Sequence, residues 1–418
     1  MTNLATEKPP YSIASMEEIR AIPWNGLNVV STFSGCGGTC LGYEMAGYKI
    51  LWASEFIPAA QQVYRLNHPD TFLDTRDIRQ VTGQSILIKL GLKQGEVDIL
   101  EGSPPCASFS TAGVRERYWG QVVKYSDTKQ RVDDLFTEYT KLVDSIQPKV
   151  FVAENVYGLV RGTAKGYFKK ILAGFRSCGY QVEAKLLDAA WLGVPQHRRR
   201  LFFIGVRNDL GLAPVFPKPW KFYYTLRDVM PWIVKLHKGY SNYQNIDGKP
   251  SPTIMAHQHS ENAYSDDAQW VEAVITHDTG GKCSVGNITD SPAPTILASN
   301  QSMYIDRFAI GKEWDKLKPG EQSEKYFSLV KPAFNKPIPT ITATGANLGA
   351  ASVVHPTERR KFTIEELKLV SSFPADFNIT GTFSQQWERI GRAVPPFMAR
   401  AIAETIRDNI LCKENSLR

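Results

Sequence analysis

Cysteine is scarce in this chain. There are six in 418 residues, and only Cys36 and Cys40 stand near one another, with no histidine or second cysteine pair beside them. That spacing argues against a disulfide framework and a zinc site, so a reduced compartment and no metal are expected. Long apolar runs are missing too. None approaches the roughly 20 residues a membrane-spanning helix needs, and Met1 to Pro10 has no signal-peptide core. The expectation is a cytoplasmic protein with no membrane partner. A strong charge imbalance is also absent: 49 Lys and Arg stand against 42 Asp and Glu, a net charge of +7. Mild basicity is compatible with a nucleic-acid partner without identifying one. Hydrophobic residues make up 43% and charged residues 22%, ordinary globular values, and the length suggests two or three domains.

What is present begins with a βαβ pattern. Asn28 to Phe33 reads as a strand and Ser34-Gly35-Cys36-Gly37-Gly38 as a turn. Thr39 is a candidate cap for a helix to about Ala46. A second strand, Tyr48 to Ala53, ends at Ser54-Glu55, and a helix from about Pro58 to Asn67 follows. The dinucleotide fingerprint wants a third glycine where this chain has Cys40. A pyrophosphate needs amide contacts at the helix start. An adenosine-bearing cofactor without phosphate needs only close backbone approach and an acid for the ribose hydroxyls, a role that suits Glu55. S-adenosylmethionine is such a cofactor. Asp77-Ile78 is either an adenine contact at the next strand end or a surface turn.

Val97 to Leu100 reads as a buried strand, broken by Gly102 and Ser103. Pro104 and Pro105 then fix φ and remove two backbone donors, holding Cys106 in a loop. Cys106 is a candidate nucleophile; the alternative is a small buried hydrophobe. Residues 111–132 mix Arg115, Arg117, Lys124, Lys129 and Arg131 with Tyr118, Trp119 and Tyr125, which suits a nucleic-acid contact, a lid or a plain solvated loop. Leu135, Phe136, Tyr139, Leu142, Val143 and Ile146 recur at helical spacing and read as core. The strand Val150 to Ala153 delivers Glu154-Asn155-Val156 to the edge that carries Cys106, if the sheet is parallel. A carboxylate ending an apolar strand is costly without a partner or a task. A helix over about Lys165 to Ser177 and strands at Tyr180 to Leu187 and Leu201 to Val206 complete the pattern, with Gln196-His197-Arg198-Arg199-Arg200 between the last two.

The alternation predicts an α/β fold with a doubly wound, mostly parallel sheet through about residue 206. Residues 208–355 lose periodicity and are neutral overall, with 14 basic and 14 acidic residues. They carry three Pro-Thr-Ile tripeptides, ending at Ile254, Ile296 and Ile341, which suggest repeated strand-turn units or chance. Thr363 and Glu366 have capping-box spacing. A terminal helix, Phe397 to about Leu411, presents Met398, Ile402, Ile406 and Ile410 on one face and is expected to return to the main core.

Four features stand in order: the glycine turn with Glu55, the Pro-Pro-Cys106 loop, Glu154-Asn155-Val156 and the 196–200 run. Together they resemble the DNA (cytosine-5) methyltransferases of bacterial restriction–modification systems. The matching stretches are Phe33-Ser34-Gly35-Cys36-Gly37-Gly38, Pro105-Cys106-Ala107-Ser108-Phe109-Ser110, the Gln-x-Arg-x-Arg run at 196–200, and Phe373-Pro374 followed by Gly391 to Pro396. They span nearly the whole chain except the N-terminal arm and much of 208–335.

The resemblance implies the S-adenosylmethionine-dependent methyltransferase fold and three parts: a catalytic and cofactor-binding domain (1–207), a smaller, irregular target-recognition domain (208–384), and a C-terminal segment (385–418) returning to the catalytic domain. It implies S-adenosylmethionine held by Phe33, Gly35, Gly37, Glu55, Phe56, Asp77, Ile78, Pro105, Leu135, Ala393 and Val394. It implies catalysis by Cys106, Glu154, Arg198 and Arg200, with Arg198 at the cytosine O2 and with Gln196 and Ser110 at the substrate. Double-stranded DNA is the implied partner, a cognate restriction endonuclease a functional partner only, and the protein a monomer. Two departures are evident. Many members have aspartate two residues before the motif phenylalanine, where this chain has Ser31. Most have asparagine where this chain has Arg392, so a methionine-carboxylate contact cannot be carried over there unchanged.

The chemistry accounts for the residue types. Cytosine C5 is a poor nucleophile until a thiolate adds at C6, and a free thiol of pKa about 8.5 is only a few per cent ionised at neutral pH. Arg198 or Arg200 could raise that fraction. Glu154 would protonate N3 as the thiolate adds. C5 lies within the stacked duplex, so the base must be flipped out. An RNA cytosine methyltransferase on the same fold is disfavoured by the long 208–355 segment, a silent DNA-binding regulator by the intact Cys106 and Glu154, and a nicotinamide oxidoreductase by the glycine spacing.

Overall fold

The computed structural model describes residues 8–105, 123–126, 128–130, 134–160, 164–233, 275–277, 283–285 and 303–413. Cys106, Ser110, the first two Pro-Thr-Ile tripeptides and most of the 111–132 segment lie outside them. Chain order runs α1 (Met16–Arg20), β1 (Asn28–Thr32), α2 (Gly38–Met45), β2 (Lys49–Ser54), α3 (Pro58–Asn67), β3 (Phe72–Asp74), α4 (Gly83–Leu90) and β4 (Ile99–Gly102). The short strands β5 (Val123–Tyr125) and β6 (Thr128–Gln130) pair antiparallel. Then come α5 (Leu135–Ile146), β7 (Val150–Val156), α6 (Ala164–Ser177), β8 (Tyr180–Asp188) and β9 (Arg199–Arg207). Beyond them lie α7 (Leu226–Val229), the antiparallel pair β10 (Ile275–His277) and β11 (Cys283–Val285), α8 (Ala309–Trp314), α9 (Ile364–Val370), α10 (Phe383–Arg392) and α11 (Pro396–Ile406).

Seven strands form one sheet in the order β3-β2-β1-β4-β7-β9-β8. Its apolar strands alternate between two cores, as side chains on a sheet covered on both faces must. Val29, Ile99, Val150, Val152, Phe202 and Ile204 face the layer that holds Tyr43, Met398 and Ile402. Val30, Leu100, Phe151, Ala153 and Phe203 face Tyr139, Leu142, Ile171 and Phe175. Full burial of a side chain such as Phe151 contributes about 1.5–3 kcal/mol. β1, β2, β3, β4 and β7 run parallel, but β9 runs antiparallel to both β7 and β8. The sheet is mostly parallel, as expected, and β9 is the one strand in it that runs against the others. The connection of residues 189–198 is shorter than the dozen or so residues a parallel crossover needs. The consequence is functional, because the start of β9 lies beside the end of β7, with Arg200 opposite Val156.

Two further differences concern helices. The N-cap of α2 is Gly37 rather than Thr39, with φ of 91° and no side-chain cap. α10 has no counterpart in the sequence reading, although Thr382 and Gln385 form a capping box. The terminal helix does return to the core. Met398, Ile402, Ile406 and Ile410 are all buried, and Gly42 of α2 lets α11 approach so closely that a Cβ there would lie 2.5 Å from the Ala399 Cβ and the Pro396 carbonyl. Any larger residue at position 42 would push the two helices apart. A third core joins Met16, Leu41 and Val63 to Leu226, Ile338, Phe373 and Trp387.

Candidate active site

The glycine turn leaves β1 through three left-handed residues: Phe33 (φ 54°), Gly35 (φ 58°) and Gly37 (φ 91°). A left-handed phenylalanine is uncommon enough to mark a functional constraint. Ser34 N–H donates to the Ser54 carbonyl at 2.9 Å, tying the turn to β2. Glu55, at the end of β2, accepts Gly35 N–H at 2.8 Å and Ile57 N–H at 2.7 Å. Burial raises its pKa, while the Ile57 and Gly35 amides and Arg389 oppose the rise. A Cβ at Gly35 would meet nothing within 4 Å, so the turn opens onto space. A Cβ at Gly37 would lie 2.2 Å from His68 Nε2.

The walls of that space come from other elements. Ile78 and Leu135 share one apolar cluster, with Phe33 packed against it. Arg79 holds them in register by pairing with Asp77 at 3.0 Å and with Asp134 at 2.6 Å. Phe56 is exposed. Ala393 and the Val394 carbonyl press on Gly38 from the C-terminal segment, within about 3 Å of where a Cβ would stand. An open glycine floor, an apolar wall and a carboxylate at a strand end fit an adenosine-bearing cofactor without phosphate, such as S-adenosylmethionine.

A second cluster stands at the ends of β4 and β7. Arg200 Nε meets Glu154 Oε1 at 2.9 Å, with side chains 16% and 14% exposed. Burial raises the Glu154 pKa; Arg200, Arg198 and a hydrogen bond with Ser103 oppose the rise. Burial lowers the Arg200 pKa, and Glu154 acts against it. Asn155 Nδ2 donates to the Pro104 carbonyl at 3.2 Å. Thus Glu154 and Asn155 both engage the loop, at Ser103 and Pro104, just before Cys106. Pro105 is partly buried and is the last described residue there.

Arg198 and Gln196 are engaged in a buried junction with later parts of the chain. The Arg198 side chain is fully buried and donates to the carbonyls of Ile341 at 3.1 Å and of Gly391 and Arg392 at 3.0 Å each. Gln196 donates to Ser371 Oγ at 3.1 Å and accepts Ile341 N–H at 3.3 Å. The third Pro-Thr-Ile tripeptide is therefore a junction, paired in parallel with Gln196 through Ile338. The start of β9 explains the division: Arg200 lies within the strand on the Phe202 face and reaches Glu154, while Arg198 precedes the strand and turns into the junction. Arg200 makes the direct ion pair with Glu154, while Arg198 acts on it only electrostatically. Sequence reasoning missed Ser103 and the buried Glu101, although an acid inside the apolar run Ile99-Leu100-Glu101 carried the same signal that singled out Glu154.

Comparison with known proteins identifies the family. The family model of C-5 cytosine-specific DNA methylase matches residues 27–408. Type II methyltransferase M1.HphI of Haemophilus parahaemolyticus is 30% identical, the match covering 91% of this chain and 86% of that protein. Type II methyltransferase M.DdeI of Desulfomicrobium norvegicum is 29% identical over 91% of this chain and 88% of its own. The fold matches the crystal structure of a prophage-encoded E. coli protein assigned as a DNA modification methyltransferase, with a TM-score of 0.62 and 22% identity, covering 92% of this chain and 100% of that one.

Proposed function

Because the chain belongs to the C-5 cytosine-specific DNA methylase family, we propose that it methylates C5 of one cytosine within a fixed duplex sequence through a covalent bond between Cys106 and C6. The observation that carries this reading is the Glu154–Arg200 pair, tethered through Ser103 and Pro104 to the loop that leads into Cys106. S-adenosylmethionine, when bound against Phe33, Gly35, Gly37, Glu55, Ile78 and Leu135, supplies an electrophilic sulfonium methyl.

The protein's own groups do the rest. The Cys106 thiolate forms the S–C6 bond while N3 takes the Glu154 proton, so no full charge builds on the ring. The C5=C6 electron pair becomes available at C5. After methylation N3 returns its proton to Glu154, water takes the C5 proton, and the C5–H pair restores the C5=C6 bond as the S–C6 bond breaks and its electrons leave with the Cys106 thiolate. Burial keeps a proton on Glu154 to higher pH than an exposed glutamate would, which suits an acid. Arg200 holds O2 and fixes the Glu154 carboxyl. The cytosine reaches this site by leaving the stack, and residues 208–384 read the sequence around it. Similarity to type II methyltransferases supports a biological role in protecting host DNA from a cognate endonuclease, and the acting species is a monomer on double-stranded DNA.

Bisulfite sequencing of DNA and RNA from an expressing host tests this. Unconverted cytosines confined to one duplex sequence are expected. Full conversion of DNA, or protection confined to RNA, in cells that hold soluble protein would overturn the reading.

A further inference from the structure

One buried carboxyl has no part in the chemistry above. Glu101 is 3% exposed and stands directly across the β1–β4 ladder from Ser31. The Ser31 hydroxyl is hydrogen-bonded to Glu101 Oε1 and, at 2.7 Å, to Ser34 Oγ in the glycine turn. Cys40 Sγ reaches Ser31 Oγ at 3.2 Å. On its other side, Glu101 pairs in register with Val152 of β7. Glu154 lies two residues further along that strand, on the same face. A polar row therefore runs from the cofactor turn (Ser34, Ser31), through Glu101 on the strand that leads into the Cys106 loop, toward Glu154.

We propose that Glu101 is a positioning residue that sets the glycine turn through Ser31, so that a carboxyl group on β4 does the work of one on β1. The proposal rests on the cofactor reading given above. The register explains why the exchange is possible. Ser31 and Glu101 are direct neighbours, and an aspartate at 31 beside a small residue at 101 would place a carboxyl in the same space.

The surroundings select the neutral acid. Cys40 and Tyr43 of α2, Tyr139 of α5 and Glu154 of β7 face Glu101 electrostatically. No cation acts on it among the described residues. Burial first, and Glu154 second, raise its pKa to about 8, against the Ser31 hydrogen bond. Below that value the protonated carboxyl can both accept and donate along the row. Above it, the carboxylate still accepts the Ser31 hydroxyl but can no longer donate, and it stands unneutralised beneath the turn and beside Glu154. The effect is thus present at low pH and lost as pH rises through about 8.

The test is calorimetric binding of S-adenosylhomocysteine between pH 6.5 and 9.5, with methyl-transfer pH profiles alongside. Wild type should weaken above about pH 8, whereas Glu101→Gln, of the same shape and without the charge, should stay flat. Glu101→Ala should bind about tenfold more weakly at pH 7, the loss of one buried hydrogen bond. The double variant Ser31→Asp, Glu101→Ala should recover to within about threefold, since the carboxyl returns to the same space. Parallel pH profiles for wild type and Glu101→Gln, or no recovery in a folded double variant, would overturn the proposal. Failure of the wild type itself to bind at pH 7 would overturn the cofactor reading instead.

Discussion

Replacing Arg198 with methionine, and Arg200 with methionine separately, distinguishes the two arginines by what each one holds. Arg198 supplies donors to three carbonyls, those of Ile341, Gly391 and Arg392, inside a junction where its own exposure is 1%. Hydrogen bonds to a charged donor contribute about 1.5–3 kcal/mol each, but losses that share one side chain do not add. Relief of the guanidinium's burial offsets part of the loss, and the remaining cost is about 3–5 kcal/mol. Against a typical total of about 5–15 kcal/mol, that is a large fraction. Arg200 pairs with Glu154 at a strand end, and Glu154 can remain protonated without it, so its removal costs about 1–2 kcal/mol. It should instead lower the rate of methylation by about 10²–10³, the scale of one lost charge-stabilising donor. Urea denaturation and single-turnover methylation read the two effects independently. A wild-type denaturation midpoint in Arg198→Met together with abolished chemistry would refute the division and return Arg198 to the cytosine.

Three further outcomes follow from the geometry. Glu154→Gln should lower kcat by about 10²–10⁴ while S-adenosylhomocysteine binding stays within about twofold, since the residue pairs with Arg200 and Ser103 rather than with the glycine turn; equal loss of both would make it structural. Glu101 has its folded pKa raised to about 8, so it stabilises the fold fully below its ordinary value, near pH 4.5, and that contribution falls by about 1.4 kcal/mol per pH unit up to about 8. The stability gap between Glu101→Gln and wild type should therefore widen in favour of the variant between pH 5 and 8, and parallel urea midpoints would contradict it. Gly37→Ala forces a Cβ to 2.2 Å from His68 Nε2 at a φ of 91°; it should lower both thermal stability and cofactor affinity, and an unchanged melting temperature would show that the turn can relax.

Much of the fold was legible because its strands are short apolar runs bracketed by turn residues, as at Val97 to Leu100 and Val150 to Ala153. Glu154 was legible because an acid that ends such a run needs a partner. What sequence could not decide was direction and register. Arg198 and Arg200 sit two residues apart in one motif, and only the antiparallel return of β9 assigns Arg200 to Glu154 and Arg198 to the junction. Apolar residues are few across Phe383 to Arg392, with Phe383, Trp387 and Ile390 at helical spacing among polar neighbours, so α10 escaped notice despite its capping box. Ile338 and Ile341, read as part of a repeat, are buried against Gln196 because a distant tripeptide completes the edge of the motif. No local pattern encodes that contact. Glu101 went unread because Ser31, its partner, is separated from it by 70 residues of chain.

The central claim, covalent attack by Cys106 at C6 with release that requires loss of the C5 proton, is tested most directly by trapping. A duplex that carries 5-fluorocytosine at the position mapped by bisulfite sequencing is incubated with enzyme and S-adenosylmethionine, then resolved under denaturing conditions and digested for mass spectrometry. Fluorine cannot leave as the proton does, so the account predicts a stable one-to-one adduct on the peptide containing Cys106, absent without cofactor and absent in Cys106→Ser. Methylation of the unsubstituted duplex by the same preparation with no adduct, or an adduct mapped to another residue, would contradict it.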